Sequence, residues 1–158
     1  MEYMSKFANY YSRPVKTPYH DYDFVEDPLS NTDSSFLAAT AKFAITSTYR
    51  FRMGALLVKS GRVLGGDVNV PRISPSTPPN RVSTHAEIRV LKNTRNVRGA
   101  TLYVARLRSK DIPALARPCS WCMQEIIDAG ISRVVFTTNA DTGSSFYTDM
   151  ITWTDNHE

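Results

Sequence analysis

Cysteine is scarce in this chain: two in 158 residues, Cys119 and Cys122, both in one short stretch. That number and placement exclude a disulfide framework and lead us to expect a reducing, cytoplasmic location. Long apolar runs are also missing. None approaches the roughly 18 residues that span a bilayer, so no membrane partner is expected. The opening residues, "MEYMSKFANYYSRP", lack the basic start, apolar middle and small-residue cleavage site of a secretory signal. Histidine is limited to His20, His85 and His157. Internal repeats and low-complexity tracts are absent. The formal net charge is only +4, which permits an anionic partner, nucleotide or nucleic acid, without requiring one.

Against these absences, a hydrophobic content of 42% and a charged content of 22% suit one compact soluble domain with a single core. Residues 1–33 differ in character from the rest. They hold five tyrosines, three prolines and an acidic patch. Tyr3, Phe7 and Tyr10 or Tyr11 recur at helical spacing, which fits a short amphipathic helix before Pro14. So aromatic a segment argues for an arm packed on the domain at 34–158, or on a neighbouring subunit. Asp33 or Ser34 is expected to cap a helix with Phe36, Leu37, Thr40, Phe43 and Ala44 along one side. "MGALLVKSGRVLGGDV" reads as a hairpin turning at Ser60-Gly61. Residues 69–83 are a loop, and a helix runs from His85 to about Asn93. "ATLYVARL" is a strand, "RSKDIPALARP" a loop, and "CSWCMQEIIDAG" a helix stopped by Gly130. "ISRVVFTT" is the last clear strand; in the tail, "MITWT" fits a strand and "FYTDMITW" a short helix equally well. Alternating helices and strands predict an α/β protein, a mixed sheet covered by helices on both faces.

The chemistry concentrates in two stretches, "STHAEIRVL" and "RPCSWCMQEII". Cys119 and Cys122, three apart at a helix start, direct both sulfurs to one side, and the helix N-terminus favours the metal-binding thiolate. Alone, this spacing fits a redox pair or half of a structural zinc site. The remaining residues narrow the choice. No third cysteine exists, and His20 and His157 lie in the arm and the tail, which leaves His85 at the start of its own helix. Two thiolates and one imidazole leave a fourth tetrahedral position open, the pattern of one catalytic zinc ion. Glu87, on the same turn as His85, reaches a water at that open position, whose proton it takes and later delivers. The plainer reading of Glu87 is a capping box with Thr84.

His-x-Glu followed by Pro-Cys-x-x-Cys, here His85 to Glu87 and Pro118 to Cys122, is the signature of zinc nucleobase deaminases. Over residues 34–138 the chain resembles the cytidine and deoxycytidylate deaminase superfamily, which also includes tRNA adenosine deaminases and polynucleotide cytidine deaminases. The resemblance implies a three-layer α/β/α fold with a mixed central sheet of four or five strands. It implies hydrolytic deamination: activated hydroxide attacks the ring carbon bearing the amine, Glu87 moves the protons, and ammonia leaves. It further implies that the backbone at Ala86 and the first turn of the cysteine helix contact the base, that Asn69 binds a sugar hydroxyl, and that the protein is a homo-oligomer. Asn69 also fits a plain turn residue. Arg50, Arg52, Arg72, Arg81, Arg106, Arg108, Lys110 and Arg117 flank the motifs in expected loops, which suggests phosphate binding, with Arg52 the leading candidate. The chain departs from the family in a longer loop before Pro118 and in a short tail, where a fifth strand with its crossover helix hardly fits. It also lacks the extra ligands of a second zinc.

Three functions follow. The first is a hydrolase acting on a free cytosine nucleoside or nucleotide, of the deoxycytidylate or cytidine deaminase kind, in nucleotide metabolism. The second is a deaminase of cytosine or adenine in single-stranded DNA or RNA, with Tyr49, Phe51, Trp121, Phe146 and Tyr147 as stacking platforms. The third is a structural zinc or redox module without turnover.

Overall fold

The computed structural model describes residues 20–48, 52–71, 83–139 and 142–155, with the side chains at 20, 21, 71, 83, 84 and 155 outside the description. The aromatics Tyr3, Phe7, Tyr10, Tyr11, Tyr49 and Phe51, the cations Arg50, Arg72 and Arg81, and His157 lie outside the described residues. No described helix is long and apolar enough to cross a membrane.

A central mixed sheet organises the fold. Its strands are β2 (Arg52–Lys59), β3 (Arg62–Val68), β6 (Thr101–Leu107), β8 (Arg133–Thr137) and β9 (Gly143–Tyr147), in the order β3-β2-β6-β8-β9, with β7 (Pro113–Ala114) pairing onto β6. β6 and β8 are parallel; every other pair is antiparallel. Two short ladders stand apart: β1 (His20–Asp23) with β10 (Thr152–Asp155), and β4 (Val70–Pro71) with β5 (Ser83–Thr84).

Side-chain alternation along the strands builds two cores. Ala55, Leu57, Leu102, Val104, Val134 and Phe136 point to one face, where α2 (Ala86–Asn93) and α3 (Ser120–Asp128) contribute Ala86, Val90, Met123 and Ile126. Leu56, Val58, Tyr103 and Val135 point to the other face, towards Leu37 of α1 (Asn31–Ala44). The result is the expected three-layer arrangement, its mixed sheet widened to six strands by the short β7. Close approach matters at Gly54. A Cβ there would lie 2.9 Å from the Thr40 carbonyl oxygen, so the absence of a side chain lets the α1 backbone rest on β2. The hairpin turns where the sequence indicates: Ser60 and Gly61 take φ of 53° and 76°, as a type I′ turn requires.

The start of α1 differs from expectation. Ser30 is the N-cap, not Asp33 or Ser34. Its hydroxyl accepts from the Asp33 N–H at 3.0 Å and its own N–H donates to the Asp33 carboxylate at 3.1 Å, a reciprocal capping box read from "SNTD". Asp33 is thereby buried and put to further use. Arg133 donates to both of its oxygens at 2.7 Å and the Tyr103 hydroxyl to one at 3.0 Å, tying α1 to β6 and β8. The Arg133 guanidinium holds the Asp33 carboxyl at about 2, well below its ordinary value, against the opposing effect of burial. Burial, reinforced by Asp33, pushes the Tyr103 phenol up.

The tail supplies a fifth strand without a crossover helix. After a short turn the chain returns as β9, antiparallel to β8, so the few residues available suffice. Phe146 is therefore a strand residue in the core, and residues 148–150 form a single 3-10 turn before β10. The loop before Pro118 is folded as well. It makes a tight turn at Ser109–Asp111, with Lys110 and Asp111 at φ of 61° and 59°, and then β7, and the Thr137 hydroxyl donates to the Ala114 carbonyl at 2.7 Å.

Candidate active site

Two helix N-termini converge on one point. In α3, Cys119 is the N-cap (φ −71°, ψ 167°) and its sulfur accepts from the Cys122 N–H at 3.5 Å. Cys122 is fully buried and Cys119 is exposed. The helix ends as Gly130 suggests. With Gly130 at φ 81°, the Gly130 N–H reaches the Ile127 carbonyl at 3.0 Å and the Ile131 N–H reaches the Ile126 carbonyl at 3.2 Å, a Schellman motif. The first turn holds no acidic residue, so the positive end of the helix favours thiolate sulfurs.

α2 begins one residue later than the capping-box reading requires. His85, extended at φ −68° and ψ 147°, is the N-cap, its own side chain makes no capping bond, and Glu87 is the second helical residue rather than the third. The capping role for Glu87 therefore fails on geometry. Glu87 is instead 1% exposed, with its Oε1 enclosed. Ala86, fully buried, is the first helical residue, and the first helical hydrogen bond runs from the Arg89 N–H to the His85 carbonyl at 3.1 Å.

The three expected ligands meet. One ligand atom each from His85, Cys119 and Cys122 falls within a 4.8 Å cluster. The Nδ1 atom of His85 lies 3.2 Å from the Cys122 sulfur. In a tetrahedral zinc site with bonds of about 2.0–2.3 Å, neighbouring ligand atoms are roughly 3.5–3.8 Å apart. The donor set fits zinc, and the 3.2 Å contact is a few tenths of an ångström shorter than that spacing.

Asn69 enters through backbone pairing. Val70 faces Thr84 across the β4–β5 ladder, so Asn69 and His85 occupy the next pair of positions on the same side. Asn69 is 1% exposed and its amide is oriented: Oδ1 accepts from the Met53 N–H at 2.8 Å and from the Ser47 hydroxyl at 2.8 Å. With the oxygen held, the amide NH2 is the end it presents elsewhere.

Other expected residues lie outside this cluster. Arg52 donates to the Asp111 carboxylate at 2.6 Å and to the Arg108 carbonyl at 3.0 Å, fastening the loop after β6. Arg106 is a strand residue. Arg117 is no rim cation, since its guanidinium stacks 4.2 Å from the Tyr22 ring centre and 5.1 Å from that of Phe24. Among the aromatics expected to stack on bases, Phe146 fills the core. Tyr147 is exposed but pairs with Arg133 at the start of β8, whereas Ala116, near the cysteine motif, bonds Thr137 at the end of β8. Trp121 alone of the described candidates lies beside the cysteines, in the first turn of α3. Two supporting residues were invisible in the sequence: Ser47, which orients Asn69, and Tyr22, whose hydroxyl donates to the Pro118 carbonyl at 2.5 Å. No motif marks either.

The sequence pattern of the cytidine and deoxycytidylate deaminase zinc-binding region matches residues 30–138. The chain belongs to this family. Among solved structures, the deaminase fold is shared with a cytidine deaminase from Burkholderia pseudomallei at 20% identity and a TM-score of 0.57, over 76% of this chain and 94% of that one. It is shared also with a dCMP deaminase from the cyanophage S-TIM5, in complex with dCMP and dUMP, at 19% identity and a TM-score of 0.51, over 68% of this chain and 82% of that one. No curated protein matches the chain by sequence. In this deaminase-family chain, then, both halves of the matched region, the His85 helix and the cysteine helix, contribute to a single cluster.

Proposed function

We propose that this protein is a hydrolytic deaminase of a free cytosine nucleoside or nucleotide, using one catalytic zinc ion held by His85, Cys119 and Cys122. The observation that carries the reading is that the ligand atoms of His85, Cys119 and Cys122 lie together, with buried Glu87 two residues after His85. Membership of the deaminase family supports the reaction class. The phage deaminase of similar fold, which holds dCMP and dUMP, illustrates the proposed substrate and product types.

When bound, zinc supplies Lewis acidity and lowers the pKa of a water towards about 7. The chain's own residues do the rest. Glu87, two residues from His85 and itself 1% exposed, accepts a proton from the attacking water. It passes protons to the ring nitrogen and to the departing amine, so that the C–N bond breaks, a carbonyl forms and ammonia leaves. The backbone N–H at Ala86, in the first turn of α2, binds the base carbonyl. The Asn69 amide binds a sugar hydroxyl. Arg52, committed to Asp111, acts as the tether of the rim loop rather than as a phosphate ligand.

The test is ammonia release from cytidine, deoxycytidine, their monophosphates, adenosine, and single-stranded DNA and RNA, at low and moderate salt. Turnover of a cytosine mononucleotide or nucleoside alone, insensitive to salt, is the expected outcome. Turnover confined to an oligonucleotide and falling steeply with salt would replace this reading with a polynucleotide deaminase.

A further inference from the structure

The two cysteines are not equally supported. Cys122 lies inside α3, fully buried against the core. Cys119 is exposed and stands at the end of residues 115–119, which form neither helix nor strand. Its carbonyl accepts the first helical hydrogen bond, from the Met123 N–H at 2.8 Å, but its nitrogen is delivered by a segment without regular structure.

We infer that Tyr22 is a positioning residue for the metal site: its hydroxyl locks the peptide that delivers Cys119. The inference rests on the zinc reading of the cluster. Tyr22 is 1% exposed, and its hydroxyl donates to the Pro118 carbonyl at 2.5 Å across 96 residues of sequence. That carbonyl belongs to the same rigid peptide unit as the Cys119 nitrogen, so holding it sets the plane from which the Cys119 side chain departs. The grip is double. Arg117, one residue earlier, lays its guanidinium over the Tyr22 ring and donates to the Tyr22 carbonyl oxygen. The Tyr22 ring is itself wedged edge-on against Phe146 and Trp153. The β1–β10 ribbon thus acts as a clamp on the cysteine loop. Outer groups of this kind orient ligands before the metal arrives, and their loss typically lowers metal affinity by about 10- to 100-fold.

The test measures zinc affinity of the full chain by chelator competition, together with the cobalt(II) absorption spectrum, for wild type and four variants. Tyr22→Phe retains the ring and its packing and removes only the hydroxyl. It should fold as the wild type does, bind zinc about 10-fold more weakly, and shift the geometry-sensitive cobalt–thiolate bands. Arg117→Lys keeps the charge but not the planar stack and should weaken binding in the same direction, which preserves a readout if Tyr22→Phe folds poorly. Val135→Ala damages the core on the opposite sheet face and should lower thermal stability while leaving zinc affinity unchanged. Unchanged affinity and spectrum in Tyr22→Phe would overturn the proposal, as would a fall matched by Val135→Ala. Cys119→Ala separates the two readings. If it binds zinc normally, the ligand assignment itself is wrong; if it loses zinc while Tyr22→Phe does not, only the role of Tyr22 falls.

Discussion

The Nδ1 atom of His85 lies 3.2 Å from the Cys122 sulfur, although 37 residues separate them in the chain. On the proposed zinc reading the two share a cation, and Cys119 brings a third ligand atom within 4.8 Å of the others. Cys122→Ala and Cys119→Ala should each lower zinc affinity by more than about 100-fold, since removing a ligand costs more than disturbing its supports. Metal analysis of the purified variants reads this directly. Stripping zinc with a chelator should abolish turnover, and added zinc should restore it. Full zinc content in either variant would remove that cysteine from the site.

Glu87→Gln preserves shape and burial but cannot accept a proton. Turnover should fall by roughly 100- to 10,000-fold, the usual contribution of a positioned acid–base group, while zinc stays bound. If the metal departs together with the carboxylate, Glu87 is a ligand and its proton-carrying role is wrong.

Asn69 and Ser47 should behave as a pair. Asn69→Ala deletes the proposed sugar contact and should raise KM about tenfold, as expected for the loss of a hydrogen bond to a buried group. Ser47→Ala leaves the amide in place but frees its orientation, so a smaller rise in KM is expected. Steady-state kinetics with nucleoside and nucleotide would return Asn69 to a turn residue if neither value moves.

Far from the cluster, the Asp33–Arg133 pair makes a prediction about stability. Breaking a buried, bidentate pair by removing one partner costs about 3–5 kcal/mol, so Asp33→Ala should unfold at distinctly lower urea concentration at pH 7. The sign with pH follows from the depressed Asp33 value of about 2 against an ordinary 3.8. The stabilisation is fully present above the unfolded value and is lost as pH falls through the folded one. The titrating part is on the order of 2 kcal/mol. The gap between wild type and Asp33→Ala should therefore be constant from pH 7 to about 4 and narrow towards pH 2. A gap independent of pH would mean that the carboxylate's charge contributes nothing.

What could be read from residues alone is what short-range geometry dictates. A helix turn forces Cys119 and Cys122 to one side, places Glu87 two residues after His85, and lets Gly130 take the positive φ of 81° that ends α3. Ser60-Gly61 allows one hairpin type. Such features depend on neighbours a few positions apart, so the His–Cys–Cys cluster and most of the elements were legible. The capping of α1 was legible too, in "SNTD", but Asp33 is also a good cap and composition could not choose between them. Folding chose, because Arg133, 100 residues away, needs the Asp33 carboxylate facing inward.

The remaining decisions belong to tertiary structure for the same reason. Arg52 finds Asp111 across 59 residues, and Tyr22 finds Pro118 across 96. The direction of β9 follows from a return too short for a crossover. Ser47 turns the Asn69 amide only because α1 packs on the β2–β3 hairpin, which ends beside it. No local period encodes these meetings; they follow from strand order, which is fixed when the whole sheet buries its two faces.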